Sequence, residues 1–241
     1  MPRGNRLSGD GGIFHVTHRC HNKAFLLRFA RDRDAYRSKL REHLPQFDLF
    51  ILDYCLTSNH VHLLLDTPAR SEISGFMQAV AGESARSYNH RKERSNSFWG
   101  DTYHATAIDS GDYLWNCLIY IELNMVRAGV VRHPREWPWV GYHEIVGIRR
   151  RYRLLDLERL CWRLGQTDLA EVRRNLEASL EKARDRDEAK RQGYWTESLA
   201  IGSPLFIQKI RPSIHSRQET EIIEKSENLW VLQEQAKAYG Q

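Results

Sequence analysis

Paired cysteines are missing from this chain. Its four, Cys20, Cys55, Cys117 and Cys161, lie far apart with no Cys-x-x-Cys among them, which argues against both a zinc module and a disulfide scaffold. They are expected to be reduced and mostly buried. Long apolar runs are missing too. None approaches the ~20 residues of a membrane span, and the N-terminus lacks the apolar core of a signal peptide. The expectation is a soluble, cytoplasmic protein with no membrane partner. A large charge imbalance is also absent, since Lys+Arg 36 against Asp+Glu 31 leaves only +5. That excess is unevenly spread. Residues 1–154 hold 22 basic and 16 acidic side chains, whereas 155–241 hold 14 and 15, and ten of the 11 histidines lie in the first part. A basic, histidine-rich front suits a polyanionic partner, although a charge this small is not diagnostic. At 241 residues the chain suits one large domain, or one domain with an appendage.

What is present centres on Asn59-His-Val-His-Leu-Leu-Leu65. In a strand, His60 and His62 point to one face while Val61 and Leu63 point to the other. Two imidazoles on one face can chelate a divalent metal. With 11 histidines in 241 residues, chance alone supplies about 0.5 such pairs, so the pair needs support from elsewhere. It comes from Asp112 to Gly129. Leu114, Leu118, Ile121 and Met125 form the stripe of an amphipathic helix. Tyr113, Asn116, Tyr120, Asn124 and Arg127 form a second, polar face, on which Tyr120 and Asn124 are i,i+4 neighbours. A surface tyrosine beside an amide is the simpler alternative.

In chain order, residues 1–12 read as a flexible arm and Gly12–Cys20 as a first strand. His15 and His18 fall on opposite faces of that strand, so at most one of them should face the reaction centre. Arg31–Leu44 reads as a helix with Asp32 as N-cap, stopped by Pro45. Asp48–Thr57 and His60–Asp66 read as a hairpin around Ser58-Asn59. A second helix, about Glu72 to His90 with Ser71 as cap, turns Ile73, Phe76, Met77, Val80 and Ala81 inward. It ends in a basic cluster with Arg91, Lys92 and Arg94, which is either a solvated helix end or a phosphate contact. Phe98 and Trp99 either stack on bases or plug the core edge. Asp101–Asp109 reads as a fourth strand, and Asp109/Ser110 as the cap of a third helix ending at the C′ glycine Gly129. The order β-α-β-β-α-β-α is the ferredoxin-like, split βαβ pattern, an α+β antiparallel sheet backed by helices. Two helices should cover one sheet face, leaving the third to bring Tyr120 towards His60 and His62.

Four segments together resemble the REP-associated tyrosine transposases, the single-tyrosine branch of the HUH nucleases. They are Phe14–Arg19, Tyr54–Leu65, Phe98–Thr106 and Tyr120–Val130, and the resemblance spans about residues 10–147. It implies a catalytic domain over 13–150 whose C-terminal helix is catalytic. His60, His62 and Asn124 would hold a divalent metal, Mg²⁺ or Mn²⁺, and Tyr120 would be the nucleophile. The implied activity is cleavage and transfer of single-stranded DNA at hairpin-forming palindromes, through a 5′-phosphotyrosine and a free 3′-OH. Arg91, Lys92, Arg94 and Arg127 are the expected phosphate contacts, with Phe98 and Trp99 as possible base-stacking partners. The protein would work at the nucleoid as a monomer or homodimer. Two departures stand out: Met125 where many relatives have Pro, and Thr102 where relatives often have Arg.

Residues 151–241 read as a mostly helical extension with a partly disordered tail. Its stretch Tyr194–Ile207 resembles a tail segment found in a subset of these transposases. Two other functions remain open. One is a catalytically idle DNA-binding repressor on the same fold. The other is an RNA-binding ferredoxin-like module, whose usual sheet aromatics are not found.

Overall fold

The structure, a computed structural model, describes residues 6–7, 10–185, 192–216 and 218–235. Its first half runs β2 (Asp10–Arg19), α1 (Ala30–His43), β3 (Phe50–Leu56), β4 (His60–Ala69), α2 (Arg70–Arg91), β5 (His104–Ile108) and α3 (Asp112–Glu122), after a two-residue β1 (Arg6–Leu7). The strands lie in the order β3-β4-β2-β5, all antiparallel. That is the split βαβ arrangement expected from the sequence, an α+β fold.

Alternation along the strands decides which residues meet. Val16, Leu63 and Leu65 point to the face packed by α1 and α2, whose Tyr36, Leu40, Ile73, Phe76 and Val80 are buried. His15, Thr17, His62, Asp53 and Thr106 fall on the opposite face, because Thr17 pairs with His62 and His15 with Thr106. Against that second face lies α3, with Leu114, Leu118 and Ile121 buried, and Met125 just beyond its end is buried as well.

Several boundaries differ from the sequence reading, each for a local reason. Asp32 is not the N-cap of α1 but sits at its third position, where its carboxylate accepts from the Phe29 N–H (3.4 Å). Helix α2 follows β4 with Ala69, not Ser71, at its N-cap. Asp109 does not cap α3. Its Oδ2 accepts from the Ser203 hydroxyl (2.7 Å) and N–H (3.0 Å), and Gly111 takes the N-cap position. The third helix is also not continuous. Leu123, at φ −80° and ψ 2°, separates α3 from the single turn α4 (Asn124–Arg127). Gly129 follows at φ +67°, as the left-handed position after a helix requires.

The extension carries α6 (Leu157–Arg163), α7 (Leu169–Asp185), α8 (Tyr194–Glu197) and α9 (Pro204–Ile210), after the single turn α5 (Tyr142–Ile145). It also lengthens the sheet. Strand β6 (Ala200–Gly202) pairs parallel with β5, and the hairpin β8 (Thr220–Ser226) and β9 (Leu229–Glu234) continues outward through β9. Much of the tail expected to be partly disordered is thus a hairpin, with Val231 and Leu232 buried, while residues 236–241 lie outside the described residues. At the other end, Arg6–Leu7 of the expected arm pairs with β7 (Ile214–His215), and β2 already begins at Asp10. Residues 1–5, 8 and 9 are outside the described set. Among the described residues no helix is long and apolar enough to cross a membrane.

A buried carboxyl pair lies between α3 and β3. Asp53 and Glu122 are both inaccessible, and a side chain on Gly141 would meet the Asp53 Oδ1 at 1.9 Å, so only glycine fits there. Burial pushes both carboxyls well above the usual range; Asp53 raises Glu122 further, whereas at Asp53 the bond from Glu122 partly offsets the rise. Groups held protonated in this way contribute stability at low pH that is lost as pH rises through their raised folded values. Asp53→Asn is therefore expected to flatten the fall of Tm between mildly acidic and alkaline pH. An unchanged slope in thermal melts would rule out this pair as its source.

Candidate active site

The hairpin turn after β3 sets the first histidine. The Thr57 N–H donates to the His60 carbonyl (3.0 Å), closing the two-residue turn. The His60 Nδ1 then lies 2.7 Å from the Asn59 Oδ1 and 2.9 Å from the Thr57 hydroxyl. A carbonyl oxygen only accepts, so His60 Nδ1 carries the proton and Nε2 carries the lone pair. The Asn59 amide also donates to the Lys23 carbonyl (3.0 Å), which ties the loop after β2 to the same turn.

Two positions on, His62 is buried on the same face, its ring centroid 4.8 Å from that of His60. Its Nε2 lies 2.9 Å from the Asn124 amide nitrogen, and its Nδ1 lies 2.9 Å from the Nε2 of His15. Burial first, then the neighbouring His60, His15 and Arg127, pushes the His62 pKa well down, so it is held as neutral imidazole. Burial likewise lowers His15 to about 4, partly opposed by its bond to the Trp195 carbonyl. Of the two histidines on β2, only His15 faces this centre. His18 stacks on Trp99 at 4.1 Å and bonds the Asp101 carbonyl (3.0 Å).

Tyr120 comes to the same place from α3. Its ring centroid is 6.1 Å from that of His62 and 6.0 Å from that of His15, edge-on to both. The Arg127 guanidinium covers the phenol ring at 4.0 Å and donates to the Tyr120 carbonyl (2.6 Å). This geometry uses the break at Leu123, since α4 carries Asn124 and Arg127 back onto the sheet. The other two candidate phenols are engaged elsewhere: Tyr113 donates to the Asn228 carbonyl, and the Tyr103 hydroxyl bonds Ser74 (2.8 Å).

Beside the pair opens a cleft of about 500 Å³ lined by Thr17, Arg19, Lys23, His60, His62 and Thr102 among others. A second cleft, about 580 Å³, shares Asn22 with it and reaches Arg94 and Ser97. Arg19 is exposed and pairs in register with His60, so it projects from the same face. Sequence reading overlooked both Arg19 and Lys23. The alternation of β2 (His15, Thr17, Arg19) was the signal for Arg19, and nothing in the sequence pointed to Lys23. The expected phosphate contacts fare differently. Arg91 forms an ion pair with buried Asp32, Lys92 lies over Phe29, and Arg94 lies over the Tyr88 ring. Phe98 is buried, and Trp99 packs against His18 while its indole N–H donates to the Ala81 carbonyl (3.0 Å).

Two imidazole Nε2 positions on one strand face and a carboxamide beside them make a donor set that a hard or borderline divalent cation accepts. The residues present therefore fit a metal. The set is a minimal one, since among the described residues no group of three or more His, Cys, Asp or Glu is placed to hold an ion.

Known proteins fit this site. Residues 11–124 match the family described as "Transposase IS200 like", a span that begins in β2, ends at Asn124, and includes both histidines and Tyr120. That stretch is similar to the IS200-like transposases. A curated Haemophilus influenzae protein named "Putative REP-associated tyrosine transposase" is 26% identical over 149 residues, covering 56% of this chain and 82% of its own. Among solved structures, a REP-associated tyrosine transposase bound to a REP hairpin aligns at 18% identity, TM-score 0.51, over 61% of this chain and 86% of that one. At that identity the structural match speaks for the fold alone. The resemblance to REP-associated tyrosine transposases thus recurs in a family match over the front of the chain, in a curated relative and in the fold. The match to the family stops where α4 begins, so the whole extension lies outside it.

Proposed function

We propose that this protein is a transposase, a metal-dependent single-strand DNA endonuclease and strand transferase in which Tyr120 is the nucleophile and hairpin-forming DNA the substrate. The observation that carries the reading is the convergence of His60, His62, Tyr120 and Asn124, from elements some sixty residues apart, on one face of the sheet. A single chain supplies all four groups. The hairpin DNA in the solved relative supports the choice of substrate.

In this reading the Tyr120 oxygen attacks the scissile phosphorus and the bond to the 3′ oxygen breaks. The products are a 5′-phosphotyrosine and a 3′-OH. The phenol proton leaves as the nucleophile forms, and the departing oxygen takes one up. A free phenol with a pKa near 10 is a poor nucleophile, so phenolate-like charge must be stabilised. Arg127, held over the ring, supplies a fixed cation for that purpose. His60, His62 and Asn124 would hold Mg²⁺ or Mn²⁺, which when bound supplies Lewis-acid polarisation of the phosphoryl oxygen. Rejoining reverses the chemistry, with a 3′-OH attacking the phosphotyrosine and restoring Tyr120.

The deciding experiment incubates the full chain with a labelled single-stranded hairpin in Mn²⁺ or Mg²⁺. A denaturation-resistant adduct on the 5′ side of the cut should map by mass spectrometry to the Tyr120 peptide. Binding without cleavage under all conditions would leave an idle DNA-binding protein instead.

DNA affinity should fall steeply with salt, because phosphate contacts release counterions. Arg19→Ala and Lys23→Ala should each lower the slope of log affinity against log salt by about one. Arg91→Ala should change it less, because Arg91 already neutralises Asp32. Fluorescence anisotropy titrations over a salt series measure this, and equal effects at all three positions would discount the cleft as the DNA path.

A further inference from the structure

The extension reaches into the centre just described. The Trp195 carbonyl accepts from His15 Nδ1 (2.8 Å), and the Trp195 indole, itself buried, lies 5.8 Å from the Tyr120 ring. This segment is firmly docked. The Ser198 carbonyl accepts from the Thr106 hydroxyl (2.7 Å) and from His104 Nε2 (2.8 Å). The Ala107 N–H donates to the Leu199 carbonyl (2.9 Å), alongside the parallel pairing of β5 with β6.

We propose that the extension is a working part of the nuclease site, in which the Trp195 carbonyl and His15 are positioning groups that fix the tautomer of His62. A backbone carbonyl has no proton to give, so His15 must carry its proton on Nδ1. The Nε2 of neutral His15 is then an acceptor. His62 Nδ1, 2.9 Å away, must therefore be the donor. The proton of His62 is thereby pinned to Nδ1, and the lone pair of Nε2 is turned towards Asn124. His60 reaches the same state by a different route, through Asn59 and Thr57. Both histidines then offer Nε2, as a shared ligand site demands, and hydrogen-bond partners of this kind set both ring orientation and basicity. The chain of bonds runs from a segment outside the matched family to the centre of the site. This inference rests on the proposed function for its purpose, though not for its geometry.

The test uses the full-length protein and three variants, His15→Leu, His15→Gln and Trp195→Phe. Long-range proton–nitrogen NMR of the metal-free histidines reads the tautomer, and electron paramagnetic resonance of Mn²⁺ reads affinity. Wild-type His62 should be the Nδ1–H form. His15→Leu, which offers no acceptor, should show mixed tautomers and bind Mn²⁺ about 10–100-fold more weakly, the range for lost partners of metal ligands. The amide oxygen of His15→Gln should restore most of the loss. Trp195→Phe keeps the carbonyl and should keep the tautomer and Mn²⁺ affinity. A wild-type His62 in the Nε2–H form overturns the proposal without recourse to any variant. So does an unchanged tautomer and affinity in His15→Leu, or loss of both in a folded Trp195→Phe. Should wild type neither bind Mn²⁺ nor cut DNA, the nuclease reading fails, and the spectrum still decides the relay by itself.

Discussion

Tyr120→Phe is expected to bind a hairpin single strand with near wild-type affinity, yet neither cut it nor become attached to it. The change removes one oxygen. The ring that packs against His15, His62, Trp195 and Arg127 is kept, so the fold and the DNA path should survive. The loss in cleavage rate should be on the order of 10⁶, the scale on which removing a covalent nucleophile acts. Tyr113→Phe and Tyr103→Phe should cut normally, because their hydroxyls serve Asn228 and Ser74. Cleavage by Tyr120→Phe with no adduct would mean that water is the nucleophile. An adduct on another tyrosine would move the site.

The second large effect concerns the histidines, and here the two should differ in an informative way. His60→Ala and His62→Ala should each lower cleavage in Mg²⁺ or Mn²⁺ by at least about 10³, the upper end for losing one electrostatic contact to a transition state. Their stabilities should separate. His60 is half-buried beside a turn, so its loss should cost little. His62 is buried, and its removal leaves the His15 Nε2 buried without its partner, a penalty of about 1–3 kcal/mol. Denaturant melts together with cleavage assays check both points. Normal cleavage by either variant would refute the metal assignment.

The core of the fold was legible in the sequence because local periodicity carries it. The alternation around His60-Val61-His62 and the stripe Leu114, Leu118, Ile121, Met125 appear in the structure on the faces expected. Strand and helix order followed, and with it the approach of Tyr120 to the two histidines. Boundaries were less legible. Asp32 and Asp109 look like caps by residue type, but each carboxylate bonds wherever the packed chain brings a donor, and Asp109 found Ser203, ninety-four positions away.

The extension shows the limit most clearly. Three-residue β6 has too few positions for an alternation to register, and it is a strand only because β5 and β9 offer edges on either side. The hairpin of β8 and β9 is rich in Glu and Lys, which hides its apolar Ile222, Val231 and Leu232 from a reading by composition.

By itself the sequence determined the elements from β2 to α3, their order and the four candidate residues His60, His62, Tyr120 and Asn124, since the pairing of each two depends on spacing within one strand or one helical stretch. Tertiary structure alone decided which groups surround those four. It set Arg127 on the Tyr120 ring, His15 rather than His18 behind His62, and the Trp195 carbonyl behind His15. His15 and Trp195 are 180 positions apart, and a backbone carbonyl has no side-chain identity to read. Contacts of that kind exist only once the sheet has closed around them, because burial is what makes each donor find its acceptor.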